Sequence, residues 1–102
     1  EDPCFWAEDG LQWMLVKDMT GAVCGVRHGG VLYHSSDGLN WVLADPALAY
    51  DRQLCWQDGG AVEAQYVERP FVYLEDGHPR CLLNAVLYGD EASGVLVREL
   101  RN

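Results

Sequence analysis

Basic residues are scarce in this sequence: 7 Lys and Arg stand against 16 Asp and Glu, which gives a formal net charge of -9 at pH 7. An excess of negative charge repels phosphate backbones, so we expect no nucleic acid among the partners. Long apolar runs are missing as well, since none approaches the roughly 20 residues that a membrane helix needs. We therefore expect no membrane span, and no segment has the pattern of a signal peptide.

Closely spaced cysteines are also absent, although the chain has four, at positions 4, 24, 55 and 81. Zinc sites pair cysteines a few residues apart, and the histidines show no ligand spacing either, so we predict no metal and no cofactor. The even count permits two disulfides in three connectivities, but only in an oxidising compartment. Buried thiols are an equal alternative, because free cysteine packs as a small hydrophobe. We expect an extracellular or periplasmic location, and otherwise a cytoplasmic one.

Helix signals are nearly missing, and the chain has instead short apolar runs separated by Asp-Gly pairs. These pairs lie at 9–10, 37–38, 58–59 and 76–77. Both residue types tolerate the positive φ of a tight hairpin turn. The pattern predicts an all-β fold of about seven antiparallel strands. The predicted strands are Cys4–Ala7, Leu11–Asp18, Val31–His34, Trp41–Ala44, Phe71–Leu74, Arg80–Leu87 and Val95–Leu100.

An internal repeat organises these strands. The decapeptides "EDPCFWAEDG" at 1–10 and "ERPFVYLEDG" at 68–77 share five of ten residues at identical spacing, with an offset of 67. Each precedes an apolar strand and then a Gly-Val-Leu strand, at 30–33 and 94–97. Repeated antiparallel meanders are typical of a β-propeller.

We therefore predict two antiparallel meander units of the propeller-blade type. The first covers residues 1–50 and has four strands; the second, 67–102, is incomplete with three, because the sequence ends there. Residues 51–66 connect the two units, and this connection overlaps a longer irregular stretch at 45–65. Within that stretch we expect Tyr50, Cys55 and Trp56 to pack onto a sheet.

The ordered set of motifs resembles one group of propeller enzymes. Glu-x-Pro at a strand start, an Asp-Gly hairpin and "HSSDGLNWVLADPALAY" at 34–50 are similar to elements of the five-bladed propeller glycosidases, the arabinanase/β-xylosidase and invertase/levanase superfamily. "VERPFVYLEDGHPRCLLNAV" is similar to the C-terminal stretch of a glycosidase-like branch that carries Arg-Glu-Arg-Pro. Here Val67 replaces the first Arg. The resemblance covers nearly the whole chain, which corresponds to about two of the five blades.

In these enzymes three carboxylates meet at the centre of a funnel. The resemblance implies that Glu68 matches the general acid and Asp2 the carboxylate that orients it. Such chemistry needs an acid whose pKa is raised, and a neighbouring carboxylate can raise it. By the resemblance, the third carboxylate would come from an early blade that this sequence lacks. Asp18 does not replace it, because its context "VKDMTG" does not match that motif. The resemblance thus implies a carbohydrate-binding or remnant glycosidase unit without catalysis by the single chain, and it leaves open whether the chain is an enzyme.

Three more residues are candidates for ligand binding. They are Arg69 beside Glu68, Trp6 as a ring that stacks on a sugar, and His34 as a side chain that lines a cleft. His28 is a second candidate for lining the cleft. Several of the candidate site residues also have a simpler interpretation. Glu68 and Arg69 would form a surface ion pair worth about 0–1 kcal/mol, Trp6 would pack in the core, and Asp2 would be a frayed terminal residue.

Two propeller-type units would leave two apolar faces uncovered, since each such unit buries both faces against neighbours. Apolar burial contributes roughly 25 cal/mol per Å², so exposed faces favour association. We therefore expect a homo-oligomer, either a closed ring or an open polymer, with a glycan as the candidate ligand. The alternative function, from a different class, is a self-assembling structural module without enzymatic activity.

Overall fold

The fold consists of strands and turns, in a computed structural model that describes residues 2–89 and 92–100. These ranges contain nine strands and no helix. The strands are β1 Cys4–Glu8, β2 Leu11–Asp18, β3 Gly29–Ser35, β4 Val42–Tyr50, β5 Gln53–Cys55, β6 Ala61–Glu63, β7 Tyr66–Glu75, β8 His78–Tyr88 and β9 Ala92–Glu99. All pairings are antiparallel, so the predicted all-β antiparallel class is confirmed. With no helix in the described ranges, none is present that could cross a membrane.

The strands form three sheets, each in chain order. The first sheet is β1-β2-β3-β4, the hairpin is β5-β6, and the third sheet is β7-β8-β9. The prediction of two sheets was therefore wrong, because the supposed irregular connection folds into a hairpin of its own. Its turn contains the Asp58-Gly59 pair, and Leu54 pairs with Val62 across it. This third of the four Asp-Gly pairs was present in the sequence but was not paired with its short flanking strands.

Burial within the hairpin also differs from the prediction. Tyr50 and Trp56 pack on the core as expected, but Cys55 is exposed and the preceding Leu54 is 0% exposed. Successive residues of a strand point to opposite faces, so the hairpin can bury only one of these two side chains. All four cysteines are free thiols.

Backbone angles are shared by the two decapeptides. Asp9 and Asp76 have φ of 53° and 52°, and the glycines that follow them both have φ of 78°. Asp2 and Arg69, each followed by proline, have φ of 54° and 52°. A positive φ is uncommon outside glycine, and the residue before proline favours extended backbone. The repeat is thus a repeat of conformation as well as of sequence; its first position, Glu1, lies outside the described residues.

The first and third sheets pack face to face through their leading strands. The Val72 N–H donates to Cys4 Sγ at 3.4 Å near one end, and His78 Nδ1 lies 3.2 Å from Glu8 Oε2 at the other. Strands β1 and β7 therefore run side by side in the same direction. The core lies between the two sheets and the hairpin. Its buried members are Leu15, Tyr50, Leu54, Ala64, Val67, Val72, Leu82 and Val86.

Asp18 organises the loop between β2 and β3. Its carboxylate accepts backbone N–H bonds from Gly21 at 3.1 Å, Val23 at 2.9 Å and Cys24 at 3.0 Å. These bonds, with Cys24 the largest contributor, lower the pKa of Asp18 although its burial opposes the shift. Asp18 is therefore an ionised structural group that shapes the loop leading to His28.

Candidate functional site

An ion pair between the two sheets is the centre of the candidate site. Lys17, the single lysine of the sequence, places Nζ 2.6 Å from Glu68 Oε2. The Lys17 side chain is 3% exposed and that of Glu68 is 32% exposed. Glu68 therefore forms its ion pair with a buried lysine of the first sheet and not with the adjacent Arg69.

Two aromatic rings surround the ammonium group. Lys17 Nζ lies 5.3 Å from the centre of the Tyr66 ring, within the range of a cation–π contact. The His28 ring meets the same ring edge-on at 5.0 Å. Burial lowers the pKa of His28, and the charges of Lys17, Arg27 and Arg52 lower it further, whereas Glu68 opposes them. His28 is therefore neutral at pH 7, and Lys17 carries the positive charge of this cluster.

The two carboxylates that the resemblance singled out, Asp2 and Glu68, both affect the buried Tyr50 hydroxyl. Burial raises the pKa of Tyr50 far above its ordinary value, and the negative charges of Asp2 and Glu68 raise it further. Asn84 and Arg98 act in the opposite direction. The charges of Asp2 and Glu68 thus both act on this one buried hydroxyl.

Unused hydrogen-bonding capacity is present in the same place. The Asn84 side chain donates from Nδ2 to the Glu68 carbonyl oxygen at 3.3 Å. Its Oδ1 atom is buried and has no hydrogen-bond partner among the described residues, whereas its side chain acts on the buried Tyr50 hydroxyl through a hydrogen bond. A buried polar atom without a partner is costly. Because this atom has no exposed surface and does not line the cavity, the cost falls on the packing around Tyr50.

An open cavity of about 630 Å³ borders Glu68 on the other side of β7. Ala85, Leu87 and Val95 form much of its apolar wall, and Tyr66 and Glu68 supply polar groups. The volume lies in the range of small-molecule sites, and the cavity is open to solvent on one side. Glu68 therefore lies between the buried lysine and a cavity of ligand size.

The other predicted site residues lie apart from this cluster. Arg69 is exposed, in the bulge that follows Glu68. Trp6 stacks on Trp13 with ring centres 6.3 Å apart, and Trp13 contacts His34 at 5.4 Å. This aromatic row crosses the first sheet four residue pairs from Lys17, which is about 13 Å along the strands. Trp6 and His34 thus lie in a separate, partly buried row.

Sequence reasoning missed four residues of the cluster: Lys17, Tyr50, Tyr66 and Asn84. Of these, Lys17 had a readable signal, because it follows Leu15 by two positions in an apolar strand and so points inward. No signal in the sequence identified Glu68 as the partner of Lys17, because the two residues are 51 positions apart. No group of three His, Cys, Asp or Glu side chains is placed to bind a metal ion within the described parts of the chain.

We expect the Lys17–Glu68 pair to have a measurable coupling energy. A double-mutant cycle with Lys17→Met and Glu68→Gln, followed by urea unfolding, should give about 1–2 kcal/mol. This lies between the roughly 0–1 kcal/mol of exposed pairs and the larger values of buried ones, because only Lys17 is buried. The matched control is Arg80–Glu75, an exposed pair at 3.7 Å, for which coupling should be near zero. Equal coupling in both cycles would contradict a buried ion pair.

The comparisons with known proteins gave no match: no protein-family model, no curated protein and no solved structure matches this chain. The resemblance to propeller glycosidases therefore depends only on the sequence motifs of the chain, and the function that it implies is a proposal.

Proposed function

We propose that this chain is a propeller-type, glycoside hydrolase-like unit that binds carbohydrate beside Glu68 and does not hydrolyse it as a single chain. The observation that supports this most is the position of Glu68, which pairs with the buried Lys17 ammonium group at 2.6 Å and lines an open cavity of about 630 Å³. Neutral sugars suit such a site because their hydroxyl groups bind carboxylates, amides and phenols, and they are not repelled by a chain with net charge -9.

The ion pair explains why binding is proposed rather than catalysis. A general acid must carry a proton to give to the glycosidic oxygen. Glu68 Oε2 instead accepts a hydrogen bond from the Lys17 ammonium group at 2.6 Å. In this arrangement Glu68 acts as a fixed hydrogen-bond acceptor, and the chain has no matching third carboxylate.

Sugar binding is testable with arabino-, xylo- and fructo-oligosaccharides, the sugar classes that the resemblance implies. Calorimetric titration should detect saturable binding of at least one class to the unmodified chain. We expect Glu68→Gln to weaken it by about tenfold or more, since a hydrogen bond to a charged group contributes roughly 1.5–3 kcal/mol. Glu75→Gln, an exposed change on the same strand, is the control and should bind normally.

Two outcomes would contradict the proposal. One is the absence of binding to every class by a chain whose fold is intact by circular dichroism. The other is binding that Glu68→Gln leaves unchanged. Hydrolysis of aryl-glycosides that disappears in Glu68→Gln would overturn only the non-catalytic part.

A second candidate function is a self-assembling structural module. The observation that favours it is the set of large apolar side chains that the two sheets leave exposed, among them Phe5, Phe71, Val95 and Val97. Apolar patches of this kind on a small chain mark contact surfaces. This function does not require any ligand at Glu68.

A further inference from the structure

Equivalent positions of the repeat differ in solvent exposure: where a side chain is exposed in one sheet, its equivalent in the other sheet is buried or half-buried. Phe5 in β1 is 58% exposed, whereas its equivalent in β7, Val72, is 7% exposed. In the opposite sense, Cys4 is half-buried against Val72, whereas its equivalent Phe71 is 57% exposed. Each sheet therefore buries one of its two faces within the chain. The face that the first sheet buries is equivalent, by the repeat, to the face that the third sheet leaves exposed, and the reverse also holds.

The outer face of the third sheet is defined here by Phe71, Tyr73, Leu83, Val95 and Val97. Phe71 pairs with Leu83, and Leu83 pairs with Val97, so these three side chains form one row across the sheet. The equivalent row of the first sheet is Cys4, Leu15 and Leu32, which faces the third sheet inside the chain.

The outer face of the first sheet is defined by Phe5, Met14, Tyr33 and Leu43, which also pair in one row. Phe5 and Leu43 are exposed. Phe5 and Met14 correspond to Val72 and Leu82 of the third sheet. Both of those residues are buried in the contact with the first sheet.

We propose that the outer face of the third sheet binds the outer face of the first sheet of a second copy of this chain. The contact inside the chain joins the same two kinds of face, so the contact between copies continues an interface that already exists. Because the two faces differ, the contact is heterologous, and it leads to a ring or an open chain of copies.

The size of the contact predicts its strength. Three strands about 4.8 Å apart and about six residues long present roughly 300 Å² in projection. A face of three short strands is a small contact surface for a protein complex. Assembly is therefore weak for one contact and depends on protein concentration.

The second copy also completes the cavity beside Glu68, an inference that rests on the proposed function. Lys17, which contacts Glu68 inside the chain, corresponds by register to Ala85, which lines the cavity. By the same offset of 67, the residue that corresponds to Glu68 is position 1, which lies outside the described residues. In this arrangement the first sheet of the second copy covers the Ala85 side of the cavity.

The heterologous contact is testable with variants that block one face each. Phe5→Arg blocks the first sheet and Val97→Arg blocks the third, and both positions are exposed. Sedimentation velocity of the unmodified chain should show assembly that grows with concentration, and each variant alone should remain monomeric. An equimolar mixture of the two variants should form a dimer and nothing larger, because each supplies the face that the other lacks. Leu39→Arg, exposed and on neither face, is the control and should assemble normally.

A monomeric unmodified chain at every concentration would overturn the proposal, as would a mixture that stays monomeric. A blocked variant that assembles like the unmodified chain would show contact between like faces and would overturn it as well. Leu43→Arg and Val95→Arg repeat the test if either first variant fails to fold. Glu68→Gln should assemble normally, so loss of sugar binding and loss of assembly are separable.

Discussion

Replacement of Leu54 by alanine is expected to lower the free energy of unfolding by about 2–5 kcal/mol, the range for large-to-small changes in well-packed cores. Leu54 is 0% exposed and belongs to the same cluster as Leu15, Val67 and Val72. It lies in a strand of only three residues, Gln53–Cys55. Such a short hairpin depends on this side chain to hold it to the core.

Urea unfolding of Leu54→Ala measures this effect. The matched control is Leu39→Ala, since Leu39 is 84% exposed and its truncation should change stability by less than about 0.5 kcal/mol. A loss as small as that of the control would mean that the hairpin packs loosely on the sheets and adds little to the core.

Replacement of Gly30 by valine should destabilise the chain by about 3 kcal/mol, at the upper end of the range for overpacking. A Cβ at this position would lie 2.1 Å from Cε2 and 2.3 Å from Cδ2 of the Tyr50 ring. The ring is buried, so it can move away only by disturbing the core and the hydroxyl near Asp2 and Glu68. We therefore expect both stability and sugar binding to decrease.

Gly94→Val is the matched control for this substitution. Gly94 begins the other Gly-Val-Leu element, has no atom within 4 Å of a built Cβ and does not have a left-handed φ. Thermal unfolding of both variants should show a large decrease in Tm for Gly30→Val and little change for Gly94→Val. Similar decreases would indicate a general cost of valine in these strands and would contradict the close packing of Tyr50 on Gly30.

The Gly-Val-Leu elements also show how far sequence reasoning reached. Their letters align Leu32 with Leu96, but in the sheets Leu15 pairs with Leu32 whereas its equivalent Leu83 pairs with Val97. The two elements are thus one position out of register. The shift accompanies irregular pairing of β7 with β8, between Glu68 and Phe71 and between Tyr73 and Leu74. A one-residue shift reverses which side chains face the core, and the sequence has no signal for it.

The candidate site was predictable only in part, for the same reason. Glu68 and Asp2 were found because the repeat and the resemblance marked their positions. The partner of Glu68 was not found, because the Lys17 contact spans 51 residues and depends on how two sheets pack. The alternative of a surface ion pair between Glu68 and Arg69 is not observed, because Glu68 pairs with Lys17 and Arg69 is exposed in the bulge.

Local chemistry in the sequence determined the strands, the Asp-Gly turns and the repeat, because turn residues and alternating side chains act on their nearest neighbours. Tertiary structure alone decided which face of each sheet is buried and which polar groups surround Tyr50. These features depend on contacts between distant strands, where packing selects one register and one partner from many that the sequence permits.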